Sequence, residues 1–200
     1  LSQYLFPQSQ TKIMNEGWAS FWHYTILNRM YDKGLLSEGS ILEFLESHSG
    51  VIYQPSWNSK YFNGINPYNL GFNMFKDIKR ICEEPTTEDK EWFPQLVHTD
   101  WLKTITFAME NFKDESFIQQ YLSPKLIREL GYFRLGNNDT NPTYIINAIQ
   151  NESGYKNIRN SLAEQQTRTF RLPSLQVMDY KESTDRNLLL KHSKQYNTSL

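Results

Sequence analysis

Residues 11–24 read Thr11-Lys12-Ile13-Met14-Asn15-Glu16-Gly17-Trp18-Ala19-Ser20-Phe21-Trp22-His23-Tyr24, and the spacing of their apolar side chains decides the fold class. Ile13, Trp18, Phe21 and Trp22, continued by Ile26, Leu27 and Met30, approximate a helical stripe. The spacing predicts one long helix over residues 10–32, closed by Gly34, because Gly commonly sits just past a helix C-terminus. Glu16 and His23 are seven apart, about 20° short of two full turns. Both side chains therefore fall on one face, with Ser20 between them. A carboxylate and an imidazole on one stripe can share a metal ion or a proton. On spacing alone, a paired Glu16 and a His23 hydrogen-bonded inside an aromatic core is the commoner arrangement. Gly17 costs a helix about 1 kcal/mol relative to Ala, so a close approach to the backbone is expected there.

Working outward, Ser37 is a candidate N-cap for a second helix to residue 47. Residues 50–67 break the pattern with Gly50, Pro55, Asn58, Gly64 and Pro67 among Tyr53, Trp57, Tyr61 and Phe62. Loops of that length are often functional. With Asn58, Asn63 and Asn66, this one reads either as a groove for a polar polymer or peptide or as a packed Ω-type loop. Pro67 suits the first turn of a helix to about residue 82. Thr86 or Thr87 caps a short helix before Pro94, and Asp100 caps a helix over 101–112. Asp114 and Glu115 place negative charge at the start of a helix over 116–122. Ser123-Pro124 opens another over 125–130. After Gly131 short β-type runs appear at 132–135, 143–149, 175–180 and 187–192, with a helix over 152–165 between the second and third. The expected fold is α+β: a mostly helical part over 1–131, followed by a small mixed α/β unit over 132–200 that carries no catalytic constellation.

Composition excludes several classes. The formal net charge of the 200 residues is -1, which leaves no basic excess for a phosphate backbone, so no nucleic-acid partner is expected. Twelve Phe, twelve Tyr and five Trp argue for packed aromatic cores or an aromatic-lined groove. No apolar run is long enough for a membrane span. Leu1-Ser2-Gln3-Tyr4 carries no basic and apolar leader. It also lacks an initiator Met, so the chain is read as a fragment of a longer polypeptide. Cys82 is the single cysteine; it reads as a half-buried thiol on a helix and fits a reducing, cytoplasmic compartment. The sequons at Asn138, Asn151 and Asn197 carry no meaning there. Glu43, Glu46 and His48 read as a solvated helix face, and His98-Thr99-Asp100 as a loop leading into a cap. There is no P-loop, dinucleotide fingerprint, G-x-S-x-G elbow or C-x-x-C pair.

Long strings resemble one family. Phe6-Pro7-Gln8, the run Thr11 to Ala19, and Phe21-Trp22-His23-Tyr24 are similar to the SpoVR proteins. So are Tyr53-Gln54-Pro55, Gly64-Ile65-Asn66-Pro67-Tyr68, Arg80-Ile81-Cys82, Trp92-Phe93-Pro94, Asp100-Trp101-Leu102, the run Phe112 to Ile118, and Glu152-Ser153-Gly154-Tyr155. The match runs in order to Asp185-Arg186-Asn187 and corresponds to the C-terminal part of the family's sequence. The resemblance implies a protein of sporulation (stage V, spore cortex formation) or of stress response, with a serine-kinase-like stress protein as partner. Asn15-Glu16-Gly17-Trp18-Ala19-Ser20 also resembles the N-E-G-[FW]-A-[ST] helix of gluzincin aminopeptidases, whose Glu is a zinc ligand. Carried over, Glu16 becomes a ligand and the helical part zincin-like.

Those enzymes need an H-E-x-x-H helix, and the histidines here are His23, His48, His98 and His192 alone. The SpoVR resemblance implies that the missing pair lies upstream of this chain. Two readings follow. In one, the protein is a metal-dependent hydrolase-like protein with zinc on Glu16, and with His23 as catalytic group or further ligand. In the other it is a non-catalytic regulator that binds partners through the aromatic loop. A zincin fold that has lost its chemistry is a third, intermediate reading.

Overall fold

The computed structural model describes residues 2–56, 59–132, 134–137, 144–147, 151–169, 174–181 and 187–193. A short α1 (Ser2–Ser9) precedes the long α2 (Lys12–Asp32). The expected helix over 10–32 thus begins at Lys12, behind a helix the apolar spacing did not announce. Thr11 stands at its N-cap without a side-chain cap bond. The cap comes instead from a residue 100 positions away. Asp114 accepts the backbone N–H of Ile13 at Oδ2 and of Met14 at Oδ1, each at 2.9 Å, while its own N–H donates to the Gln10 carbonyl. At the far end Gly34, with φ +68°, terminates α2. Gly34 N–H donates to Tyr31 and Leu35 N–H to Met30, the paired bonds of a Schellman closure.

Capping residues open the next helices at the expected places. Ser37 accepts from Ser40 N–H ahead of α3 (Glu38–Val51). Asn66 accepts from Tyr68 N–H, with Pro67 in the first turn of α4 (Pro67–Glu83). Thr86 and Asp89 form a reciprocal capping box on α5 (Thr87–Trp92). Asp100 accepts from Leu102 and Lys103 at the head of α6 (Trp101–Asn111). Ser123 does the same for α8 (Pro124–Glu129), which follows α7 (Asp114–Tyr121).

The centre of the molecule is α4, whose Leu70, Met74, Phe75, Ile78 and Ile81 are wholly buried. Helix α2 lies directly on it, and the crossing is made by two glycines. A Cβ on Gly71 would stand 2.7 Å from Gly17 Cα and closer still to the Ile13 carbonyl oxygen. The backbone approach expected at Gly17 is therefore that of another helix. Around the crossing Trp18 and Phe21 pack on Phe75, and Phe75 on Phe117 of α7. Burying each such ring contributes roughly 1.5–3 kcal/mol.

Beyond residue 131, β1 (Arg134–Asn137) pairs antiparallel with β2 (Tyr144–Asn147). After α9 (Glu152–Thr169), β3 (Ser174–Lys181) pairs with β4 (Asn187–Ser193), with a register shift between Val177 and Asp179. The strands form two separate two-stranded ladders, so the chain is mostly helical with small open sheets toward its C-terminus. Helix α9 packs on α7 and adds Ile158, Leu162 and Ala163 to the core. Trp57, Asn58, Asn138 and Asn197 lie outside the described residues. No helix among the described residues is long and apolar enough to cross a membrane.

Two predictions follow from this packing. Gly71→Ala has backbone atoms as its nearest obstacles, so it should cost at least about 3 kcal/mol. Gly39→Ala, where only Ser37 Oγ at 3.9 Å is near, should stabilise by about 0.5–1 kcal/mol; urea unfolding of both variants gives the comparison. Asp114→Asn exchanges one acceptor oxygen for an N–H donor against the head of α2 and should cost about 2 kcal/mol. Thermal unfolding at pH 7.5 checks it.

Candidate functional site

Glu16 and His23 emerge on α2, as the spacing requires, on the side that carries α4's first turn and α3. Glu16 is half-buried and accepts a hydrogen bond from the Tyr68 hydroxyl. That bond first, then burial and the carboxylate charge, push the Tyr68 hydroxyl above its ordinary value. The tyrosine thus stays protonated, with a proton to offer the carboxylate. His23 is exposed and lies edge-on to Phe44 of α3, with ring centroids 4.8 Å apart. Seven residues of helix separate Glu16 and His23 by about 10.5 Å along the axis. Ser20 between them is buried.

The six-residue string around Glu16 sorts by role. Gly17 makes the helix crossing, Trp18 packs on Trp22 and Phe75, and Ser20 turns inward. Asn15 donates to Thr11 Oγ1 within the helix. Glu16 and the exposed Ala19 are left as the residues that core packing does not account for, and of these only Glu16 carries a functional group. Zinc takes three or four protein donors in known sites. Among the described residues no group of three or more His, Cys, Asp and Glu side chains comes together at metal-binding distance. Glu16, oriented by Tyr68, has the chemistry of one donor. The four histidines belong to four different segments, α2, α3, the turn before α6 and β4, and His23 and His48 flank the same Phe44 ring.

His48 departs from its reading as part of a solvated face. Glu43 and Glu46 are exposed, but His48 is buried among Tyr24, Phe44 and Phe72. Its Nε2 has no hydrogen-bond partner. Burial first, and the nearby His23 second, hold the imidazole below its ordinary 6.5. Three aromatic rings around it, from α2, α3 and α4, explain why: helical spacing placed His48 with the two glutamates, but the tertiary aromatic cluster claims it.

A second set of charges was not singled out in the sequence. Arg80 spans two buried carboxylates: Nε donates to Asp77 at 2.8 Å, and the guanidinium fork donates to Asp89 at 2.6 and 2.9 Å. Ser123 donates to the other Asp77 oxygen at 2.6 Å, and Thr86 donates to Asp89 from both N–H and hydroxyl. Burial pushes the Asp89 carboxyl up, but Arg80 and Thr86 outweigh it and hold it at about 2. Burial pushes Asp77 up against the pull of Ser123 and Arg80. The set is closed on itself and clamps α4 to α5 and to the head of α8. Its only sequence signal was the i, i+3 spacing of Asp77 and Arg80.

Cys82 is fully rather than half buried, facing Thr99 and Thr104. Asp100 caps α6 as expected, and exposed His98 precedes it with φ +56°.

The aromatic loop forms one wall of a cleft of about 890 Å³. Asn66 and Gln54 hold the loop in place. Asn66 donates to the carbonyls of Val51 and Tyr53, and Gln54 bonds Gly64 and the Asn66 N–H. Phe62 and Ile65 face the cleft from the loop, and Ile158 and Leu162 from α9. Tyr132 closes it. Gly131, with φ +66°, ends α8 in a second Schellman closure, in which Tyr132 N–H donates to Ile127, and this turns the tyrosine into the wall. Its hydroxyl is buried without a partner, and burial pushes it well above its ordinary value. The volume lies in the range of small-ligand sites.

Fold and site together define a mostly helical protein with an oriented carboxylate on one face and an aromatic-walled cleft on another. Residues 1–171 match the family described as SpoVR like protein, and the chain belongs to that family. It is 52% identical over 192 residues to the uncharacterized protein YcgB of Escherichia coli (strain K12). That alignment covers 96% of this chain and 38% of the relative, so the chain spans well under half of the relative's length. No solved structure matches the chain.

The buried imidazole yields a pH prediction. With its folded value depressed, His48 contributes stability that is full above 6.5 and is lost as pH falls below it. His48→Phe fills the same aromatic pocket without an orphaned nitrogen. It should raise the melting temperature and flatten its decline between pH 7.5 and 5.5, as followed by circular dichroism. Asp114 acts with the opposite sign. Burial raises its carboxyl to about 6 against the pull of the Ile13, Met14 and Lys12 N–H groups. The proton-linked part of its contribution is full below 3.8 and lost as pH rises through 6, while the two backbone bonds it accepts persist above that, so only the difference between wild type and variant isolates the histidine.

Proposed function

We propose that this chain belongs to the C-terminal part of a cytoplasmic SpoVR-family protein that acts in sporulation, at spore cortex formation, or in stress response, and that it supplies one carboxylate ligand, Glu16, to a metal-dependent, hydrolase-like centre. The observation that carries this reading is the state of Glu16: a half-buried carboxylate that packing does not need, oriented by the Tyr68 hydroxyl. Ligating carboxylates are commonly held by such a hydrogen bond. Zinc is the proposed metal, its histidine ligands coming from the longer protein upstream of this chain. Bound there, it would activate water or polarise a carbonyl. Tyr68 aims Glu16, and exposed His23 is the chain's group for carrying a proton or completing the ligand set. Residues 132–200, whose α9 packs on α7, serve a structural or docking role, and a serine-kinase-like stress protein is the proposed partner.

A second reading, a non-catalytic regulator that works through partners, is favoured by the cleft beneath the aromatic loop. Elemental analysis of the purified full-length protein separates the two. Near-stoichiometric metal in the wild type, absent from Glu16→Ala with an unchanged melting temperature, supports the first. Tyr68→Phe should then lower metal affinity by about tenfold. Absence of metal from the wild type as well would leave the second.

A further inference from the structure

We infer that Asn63, in the loop that borders the cleft, is a site of spontaneous covalent modification, in which the Gly64 amide converts its side chain to aspartate and isoaspartate. This goes beyond both readings above and rests on neither. Three features select Asn63.

First, the sequence supplies the reacting atoms. Asn63-Gly64 is the single Asn-Gly pair in the chain. A Gly nitrogen is the least hindered nucleophile an Asn side chain can meet, and Gly64 stands at φ +89° with nothing within 4 Å of the place a Cβ would take. Second, both groups are free. Asn63 and Gly64 are exposed, and among the described residues neither the Asn63 carboxamide nor the Gly64 N–H enters a hydrogen bond. Third, the neighbouring asparagines are closed to the same chemistry. Asn66 precedes Pro67, which has no N–H. Asn69 and Asn73 lie within α4, where the next N–H is bonded back into the helix.

The step balances with water alone. Hydroxide takes the Gly64 N–H proton and the nitrogen attacks Asn63 Cγ. The N–Cγ bond forms, the Cγ–Nδ2 bond breaks, and Nδ2 leaves as ammonia with a proton from water. Water then opens the resulting succinimide. Opening at Cγ gives aspartate; opening at the main-chain carbonyl gives isoaspartate, whose main chain runs through Cβ and Cγ and is one carbon longer. Either product adds a negative charge to a chain of net charge -1.

The longer product changes the wall of the cleft. Gln54 Nε2 donates to the Gly64 carbonyl at 3.1 Å, and Gln54 Oε1 accepts the Asn66 N–H at 2.7 Å. Asn66 is also fixed through the Val51 and Tyr53 carbonyls. An extra carbon just ahead of Gly64 therefore pushes Gly64 off Gln54 and shifts Phe62, which faces the cleft. The loop is thus a slow, one-way switch.

The test incubates the purified full-length protein at pH 8 and maps the tryptic peptide 61–76, which carries Asn63, Asn66, Asn69 and Asn73 together, by fragmentation mass spectrometry. The mass gain of an NH2-to-OH exchange is expected at Asn63 at least about tenfold faster than at Asn69 or Asn73, because a helical N–H reacts only when its helix opens locally. Incubation at pH 6 should slow it, and Asn63→Gln should abolish it. Glu16→Ala should react as wild type does, so this site and the metal site can fail separately. The isoaspartate form should accept a methyl group from an isoaspartyl methyltransferase. It should exchange amide hydrogens over 59–65 at least about threefold faster than unmodified protein, the loss of one hydrogen bond, with α2 and α4 unchanged. Asn63→Asp, which has the charge without the extra carbon, should exchange as wild type does. A rate at Asn63 no higher than at Asn69 or Asn73 would overturn the site, and unchanged exchange in the isoaspartate form would overturn the switch.

Discussion

The contact between Gly17 and Gly71 is the constraint on which the rest of the structure depends. Two helices can approach with backbone against backbone only where neither carries a side chain, and here both positions lack one. The close approach brings Trp18 and Phe21 onto Phe75, and carries the ring packing on to Phe117. It also makes α4 an almost wholly enclosed helix. A helix buried on so many sides needs apolar residues around most of its circumference, and α4 has them from Leu70 to Cys82. The exceptions prove instructive. Asp77 is buried but bonded by Arg80 and Ser123, because a buried carboxylate is tolerated only when its oxygens are engaged.

Charge does for distant parts of the chain what the glycines do for the two central helices. Asp114 opens α7 yet places its carboxylate at the head of α2, so the partial positive ends of two helices meet one negative group. Arg80 ties α4 to α5 through Asp89. On the surface Arg128 reaches Glu88 and Tyr155, linking α8 to α5 and α9, and Arg159 of α9 lies over the Trp92 ring. These bonds connect segments separated by 9 to 101 positions. They fix the arrangement of helices whose order along the chain alone would allow several packings.

This division explains what could be read from the sequence. Caps and terminators act within a few residues, so Ser37, Pro67, the Thr86-Thr87 pair, Asp100, Ser123-Pro124 and Gly34 announced their helices. The identity of partners across the fold did not show. Asp114 looked like a residue serving its own helix, and His48 grouped with two solvated glutamates until the rings of Tyr24 and Phe72 enclosed it. Gly17 signalled a backbone approach, but nothing local could say that Gly71 was the partner. The strands were legible as apolar runs, whereas their pairing into two separate ladders depends on contacts that spacing does not encode. The loop over 50–67 was legible as either groove or packed loop; Asn66 and Gln54 stitch it down as a packed loop, and its other side borders a cleft.

The same crossing that organises the core also sets the geometry of the carboxylate. Glu16 immediately precedes Gly17, and Tyr68 stands one turn before Gly71 on α4. The Glu16–Tyr68 hydrogen bond and the Gly17–Gly71 contact are therefore neighbouring rungs of one interface. A side chain added at either glycine would separate the helices and pull the tyrosine from the carboxylate. A string that resembles a zinc-ligand helix thus contains two kinds of requirement, which conservation of the whole string would not tell apart. Gly17 and Trp18 are needed to bring α2 onto α4. Glu16 is needed by neither the crossing nor the aromatic core, although both determine where it points. A metal test at Glu16 is consequently informative in a way that one at Gly17 is not, since only the first removes the candidate ligand while leaving the interface that positions it.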